Sequence, residues 1–382
     1  LLPKSHAIRL AKLLSDPDAP EEVKEDGQSG WVDHIDRLCL RLKLVRYKTE
    51  GVYAGYSSTS ESYPDNHVFF EDKRYREFLR LSLQAREDRI LTALLNDCGH
   101  DNNECLTWSP LGRLDRFNTF GCATGVMPFI PFAKVRRRLL DLLAECEAGV
   151  WYSVRSLVEH LKANDPFFLI PKALPPEARQ IDAARYQNFK EHPSGNRWSQ
   201  GTTIEDDDPL AFDRVEGRFV ERFLEGTPLE MGYVDVAYAK GDAAKTAPSR
   251  GLLRAFRLTP RLLPAIRKTI PEPKVTVLPN FEVHIESALY PAGVLAALCP
   301  LGDITTEGVQ TVLRLDKQKV AQAAAENPST DVPALLRDVA SNPLPANVDR
   351  EVKGWVGHSE SFVLYEGFGL LEGDVDAPEA EA

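Results

Sequence analysis

At 382 residues, with 43% hydrophobic, 27% charged and 9% aromatic side chains, the chain exceeds one ordinary core, because domains usually run about 100 to 200 residues. The composition is that of a soluble globular protein and excludes wholesale disorder, collagen-like repeats and disulfide scaffolds. A formal net charge of −11 argues against a surface coated with basic residues, but the charges are unevenly spread.

No stretch approaches the roughly 20 apolar residues that cross a bilayer, and the opening LLPKSHAIRL lacks the basic-then-apolar layout of a signal peptide. Six scattered cysteines fit a reducing compartment. A cytosolic protein without a membrane partner is expected, nucleoid-associated if bacterial. Beginning at Leu1 rather than Met, the chain is compatible with being a piece of something longer.

Helical spacing covers His6 to Leu14, then Trp31, Ile35, Leu38 and Leu42, ahead of a strand over Leu44 to Lys48. The Gly- and Ser-rich GVYAGYSSTSESYPDN leads to a second strand at His67 to Phe70, and a charged helix is expected from Asp72 to Leu95. Helices followed by a hairpin with a polar tip are the layout of a winged helix. This unit spans 1–100, with a connector over 101–133.

A second copy of that layout is expected over 134–271. Val135, Leu139, Leu142 and Cys146 mark one apolar face, and Ser153 caps a helix carrying Val154, Leu157, Val158 and Leu161. A Pro-rich insertion over 165–208, read as a mobile excursion, separates these from a third helix with Phe212, Val215, Phe219 and Phe223. Gly232 to Ala237 and Leu253 to Leu258 are the hairpin strands, Lys240 to Gly251 its tip, and Thr259-Pro260 starts another helix.

From 272 to 372 the pattern changes. Val275, Val277, Phe281, Val283 and Ile285 alternate about a Pro279-Asn280 turn. Short helices are expected near Pro291 to Cys299, from Thr306, after Asp316, from Asp331 to Ala340 and from Pro345 to Val356. Two short strands over SFVLYEGFGLLEG close this domain, and 373–382 is an acidic tail read as disordered. The fold class expected is α+β, mainly helical: two winged-helix units and a small α+β domain.

Catalytic signatures are scarce. The phosphate-cradling G-x-x-x-x-G-K-[ST], H-E-x-x-H and G-x-S-x-G are absent, and Gly367, Gly369 and Gly373 lack a following helix to hold a pyrophosphate. Cys98, His100, Cys105 and Cys122 lack the paired C-x2-C spacing of a zinc site, and Asp206 to Asp208 reads as a solvated loop ending in a helix cap. The expectation is therefore a non-enzyme without metal or cofactor.

Charge carries more information. From Ala243 to Pro271 there are seven basic residues and no acid, among them Arg250, Arg254, Arg257, Arg261, Arg267 and Lys268. They fall on the expected wing, its return strand and the next helix, where a winged helix meets phosphate. Arg136, Arg137 and Arg138 open the same unit, and Arg37, Arg41 and Lys43 lie in an earlier acid-free run over 37–48, the first along the chain. These twelve residues are the candidate DNA contacts. Arg214, Arg218 and Arg222 read instead as a solvated ion-pair face with Glu221 and Glu225.

Val277-Leu278-Pro279-Asn280-Phe281, the helices over 316–340, Leu344-Pro345-Ala346-Asn347-Val348 and the segment from Trp355 resemble the helicase-associated domain of bacterial proteins and of the N-terminal, damage-recognition region of XPB-type DNA helicases. GVWYSVRSLVEHL, GYVDVAY and FRLTP resemble the winged-helix part of the bacterial members. The resemblance implies a non-catalytic module beside a separate helicase or ATPase, contributing DNA contact or protein docking. The preferred expectation is a DNA-binding accessory protein of a helicase, repair or defence complex. The alternative is a docking scaffold without direct DNA binding, which dispersed, salt-bridged arginines would favour.

Overall fold

The computed structural model describes residues 4–13, 19–26, 30–48, 52–54, 59–61, 68–96, 108–109, 112–113, 130–172, 185–186, 190–191, 202–239, 252–308 and 310–359. The fold is a mainly helical α+β arrangement dividing into two compact units, Leu1–Ile270 and Pro271–Ala382.

The first unit opens with helices α1 (Lys4–Ala11), α2 (Ala19–Asp26) and α3 (Gly30–Arg41), which bury Ala7, Ala11, Val23 and Val32 together. Strand β1 (Val45–Tyr47) follows, then the paired β2 (Val52–Ala54) and β3 (Thr59–Glu61), and β4 (Val68–Phe70) returns antiparallel to β1 with Val45 opposite Phe70. The single helix expected from Asp72 to Leu95 is two, α4 (Asp72–Leu79) and α5 (Leu83–Leu95). Ser82 is the cause: its extended backbone interrupts the helix, and its Oγ accepts the Ala85 amide at 3.1 Å to start the next.

Past the small hairpin of β5 (Trp108–Ser109) and β6 (Gly112–Arg113) come α6 (Phe132–Leu143), β7 (Trp151–Ser153) and α7 (Val154–Asn164), the last capped by Ser153 as expected. β8 (Lys190–Glu191) pairs with β9 (Thr202–Thr203). The next helix is π-wound over Asp213–Gly217 before continuing as α8 (Arg218–Glu225). Then follow α9 (Thr227–Glu230), β10 (Val234–Tyr238), β11 (Leu253–Leu258) and α10 (Leu262–Arg267). The antiparallel sheet has the order β10-β11-β7, with Asp235 opposite Arg257 and Arg257 opposite Trp151.

The insertion over 165–208 is not simply an excursion. Phe168, Leu169, Ile170, Tyr186 and Ile204 are buried, and each apolar side chain taken from water contributes about 1.5–3 kcal/mol. Residues 240–251, the expected wing tip, lie outside the described residues, as do the cysteine and histidine positions 98, 100, 105 and 122.

The second unit is built on the antiparallel sheet β12-β13-β15-β14, from β12 (Lys274–Val277), β13 (Glu282–Glu286), β14 (Gly302–Thr306) and β15 (Gln310–Leu315). Helices α11 (Ala292–Leu298), α12 (Lys317–Glu326), α13 (Val332–Val339) and α14 (Ala346–Ser359) complete it around Val275, Val277, Val283, Ile285, Leu313, Val320, Val348 and Val352. Asp316 and Asp331 cap α12 and α13 as expected. The helix expected from Thr306 is instead the β14–β15 hairpin, because the alternating residues of β15 bury Leu313 and Leu315 and expose Arg314. The closing strands expected over 361–373 and the acidic tail lie outside the described residues.

Candidate functional site

Of the twelve candidate DNA contacts, Arg136, Arg138, Arg257, Arg261 and Lys268 have partners within the first unit, and of these five Arg136 alone is buried. On α6 the apolar positions recur so that Arg136 flanks the buried face. Arg136 is 4% exposed, and its Nη1 donates to the Leu95 carbonyl at 2.8 Å at the end of α5. That guanidinium cannot reach a phosphate without unpacking the helix. Arg138 points outward but is bound to Asp165, Nε to Oδ2, at 2.5 Å. Arg137 is exposed with no ion pair among the described residues.

The second basic run is neutralised by acids remote in sequence. Arg257 donates through Nε and Nη2 to Asp235 at 3.1 and 2.6 Å and stacks 4.9 Å from the Trp151 ring centroid. Arg261 holds both oxygens of Glu87, at 3.2 and 3.0 Å, and Tyr233 donates to the same carboxylate at 2.9 Å. Lys268, at the left-handed φ of 60° that ends α10, pairs with Asp88. Arg254 and Arg267 are exposed and have no ion pair among the described residues, and Arg250 lies outside them. In the first run, Arg37 and Arg41 are half-buried on α3, while Lys43 is exposed in the turn that follows.

The helix that a winged helix would offer to a groove is itself interior: every residue of α8 is buried. The solvated face expected of Arg218 and Arg222 is a buried cluster. Arg218 Nη1 lies 2.7 Å from Glu221 and 3.6 Å from Glu225, whose Oε1 also accepts from the Tyr238 hydroxyl at 3.0 Å. The i, i+3 pairing was legible, but its burial was not, because Phe219, Val220, Phe223 and Leu224 leave no solvent side to the helix.

A surface groove of 520 Å³ remains between α6 and α7. Its lining includes the apolar side chains of Ala133, Leu142 and Leu161. Lys134, Arg137 and Arg138 are balanced by Asp141, Glu145 and Asp165, and His160 and Asn164 complete its polar rim. Such a mixed lining suits a polypeptide bearing both charges and apolar side chains better than a polyanion.

Comparison of the chain with protein-family models and with curated proteins finds no match.

Two buried acids were missed by sequence reasoning. Glu216 on the π-wound turn has its side chain wholly buried. Its Oε1 accepts from Arg185 Nη2 at 2.6 Å and from the Tyr186 hydroxyl at 3.3 Å, and burial outweighs these contacts to push its pKa up to about 7. Asp206 accepts the backbone amides of Arg185 and Tyr186 at 2.8 and 2.7 Å, bonds internal to the insertion, while the contacts of Arg185 and Tyr186 with Glu216 tie it to the body. Glu230, beside His34 Nδ1 at 3.2 Å, is raised to about 8 by burial despite Arg37 and Arg136, while His34 is lowered to about 4 by burial and Arg37. Neither acid stands in a motif; only the three-dimensional packing reveals them. Among the described residues no group of three or more His, Cys, Asp or Glu is arranged to hold a metal, and no helix is long and apolar enough to cross a membrane.

Proposed function

We propose that this chain is a non-catalytic accessory module that docks on a separate helicase or ATPase, with protein contact rather than duplex binding as the role of its helix–hairpin region. The observation that carries this reading is internal neutralisation. Arg136, Arg138, Arg257, Arg261 and Lys268 are spent on partners within the first unit, and α8 is buried. The α6–α7 groove is the docking surface.

Two further observations support the family and fold behind the proposal. The order α6, β7, α7, α8, β10, β11, with the short strand pairing at the edge of the hairpin, is what a winged helix requires. In the second unit, the motif residues that carry the helicase-associated resemblance meet one another. Asn347 Nδ2 donates to the Pro279 carbonyl at 2.7 Å, and Phe281 packs on Trp355 with ring centroids 5.1 Å apart.

The test compares the chain with an Arg137→Ala/Arg254→Ala/Arg267→Ala variant for duplex and forked DNA, by fluorescence anisotropy at two salt concentrations. The expected result is unchanged duplex affinity in the variant. A weaker affinity with a salt slope lower by about 0.9 per lost phosphate contact would make this region a DNA surface and overturn the docking reading. Photo-crosslinkers at Leu142 and His160 are expected to capture an ATPase polypeptide, and crosslinkers at Arg267 are not.

A further inference from the structure

Three large aromatic side chains stand in water within one short stretch of the first unit: Phe69 at 37%, Phe70 at 58% and Tyr75 at 38% exposed. Helix α4, which carries Tyr75, buries none of its residues. Leaving rings of this size exposed forgoes the burial that stabilises the rest of the unit, and exposed apolar groups gathered in one place mark interaction sites.

Their neighbours are cationic. Arg46, opposite Phe69 across the β1–β4 ribbon, lies over that ring at 4.6 Å and pairs with Glu71 at 2.5 Å. Phe70 packs against Tyr75 at 5.2 Å between centroids. Arg76 pairs with Asp72 at 2.8 Å. Lys43, Lys48, Lys73, Arg74 and Arg80 are exposed on the same segments with no ion pair among the described residues, whereas Glu77 is the one acid of α4 left unpaired there.

We propose that the β1–β4 ribbon and α4 form a binding face for single-stranded nucleic acid, with bases stacking on Phe70, Tyr75 and Phe69 and phosphates meeting Lys43, Lys73, Arg74 and Arg80. Exposed rings and, on the same segments, exposed cations with no ion pair among the described residues offer the sequence-tolerant stacking and phosphate neutralisation that single strands need. The ribbon geometry selects the single strand over the duplex. Adjacent residues of β4 point to opposite faces, so Phe69 and Phe70 do not share a plane. Unstacked bases on a flexible backbone can reach both, and the stacked bases of a duplex cannot. This face shares no residue with the α6–α7 groove, so the proposal stands or falls separately from the docking reading.

The experiment uses the full chain with fluorescein-labelled oligothymidylate and a mixed-sequence duplex of equal length. The single strand is expected to bind more tightly. Phe70→Ala/Tyr75→Ala is expected to weaken single-strand binding by roughly tenfold or more, while Phe70→Trp retains it. Lys73→Ala/Arg74→Ala is expected to lower the salt slope by about 0.7 per lost phosphate contact. All these residues are exposed, so each variant should keep the wild-type urea midpoint. Arg137→Ala/Arg254→Ala/Arg267→Ala, the docking-test variant, should bind oligothymidylate as wild type does. Equal affinity for the two DNA forms, absence of binding at low salt, or full binding by Phe70→Ala/Tyr75→Ala would overturn the proposal. So would self-association in sedimentation that the aromatic variant abolishes, which would make this face a contact between copies.

Discussion

Glu216 is a carboxyl whose chemistry depends on what surrounds it. Arg185 and Tyr186 from the insertion donate to Oε1, while Oε2 is buried without a hydrogen-bond partner among the described residues. A buried carboxylate oxygen lacking a donor is costly, which favours the protonated form. With a folded pKa of about 7 against an ordinary 4.5, the native state keeps a proton between those values that the unfolded chain releases. Its contribution to stability is therefore fully present below about pH 4.5 and is lost as pH rises through 7. His34 slopes the other way: lowered to about 4 from 6.5, it makes stability rise between about pH 4 and 6.5. Glu216→Gln is expected to shed its own share of the loss between pH 5 and 8, leaving the variant on the order of 2–3 kcal/mol more stable than wild type at pH 8, while Glu230, raised to about 8, keeps its share in both proteins. Urea unfolding at the two pH values measures this, and an equal loss in both proteins would mean that Arg185 holds the group ionised. The adjacent arginines of α6 separate at the same scale. Arg136→Ala strands the Leu95 carbonyl and opens a buried space, at a cost of about 2–4 kcal/mol, whereas Arg137→Ala should stay within about 0.5 kcal/mol. A chemical melt that ranks them alike would contradict the burial of Arg136.

At the level of elements, local pattern was informative where one face alone is buried. The alternation of Val275, Val277, Val283 and Ile285 is the alternation of the β12–β13 hairpin, and the capping side chains of Ser153, Asp316 and Asp331 start helices where their chemistry predicts. The hairpin after Thr306 was misread as a helix because apolar residues three apart, Val309 and Val312, suit helical as well as strand spacing. What decides the matter is a tertiary approach. At Gly302 an added Cβ would fall on the Arg314 carbonyl of the paired strand. Only glycine permits β14 and β15 to close at that point. Gly302→Ala should destabilise the second unit by about 1–3 kcal/mol, the cost of overpacking, while Gly308→Ala, where no atom lies within 4 Å, should not. Urea midpoints of the two variants check this, and equal midpoints would remove the close approach as the reason for glycine.

Across the whole molecule, the mainly helical α+β class was legible from periodicity, but the distribution of charge was not. A stretch without acids in sequence need not be a basic surface. Glu87 and Asp88 of α5 reach Arg261 and Lys268 more than 170 positions away, and Asp235 crosses one strand to Arg257. The same helix supplies Gln84, whose amide donates to the Ala265 carbonyl at 3.2 Å and accepts the Ile270 amide at 3.1 Å, and the Leu95 carbonyl that binds Arg136. The units expected from sequence at 1–100 and 134–271 thus exchange polar contacts within one compact body. Removing Arg261 would leave the buried Glu87 carboxylate uncompensated, at about 3–5 kcal/mol, whereas the half-exposed Lys268–Asp88 and Arg257–Asp235 pairs are each worth about 0–1 kcal/mol. A fragment of 130–270 should therefore lack a cooperative urea transition, because Arg136, Arg261 and Tyr233 lose their partners together. The fragments 1–270 and 271–382 should each unfold cooperatively, the latter because its apolar core is closed by its own sheet and helices. Glu87→Ala in the full chain should lower the midpoint of the first unit and leave that of 271–382 unchanged. If 130–270 alone unfolds as sharply as 1–270, the α5 seam is not what stabilises the body, and the arginines of the second basic run would regain the freedom that DNA contact requires.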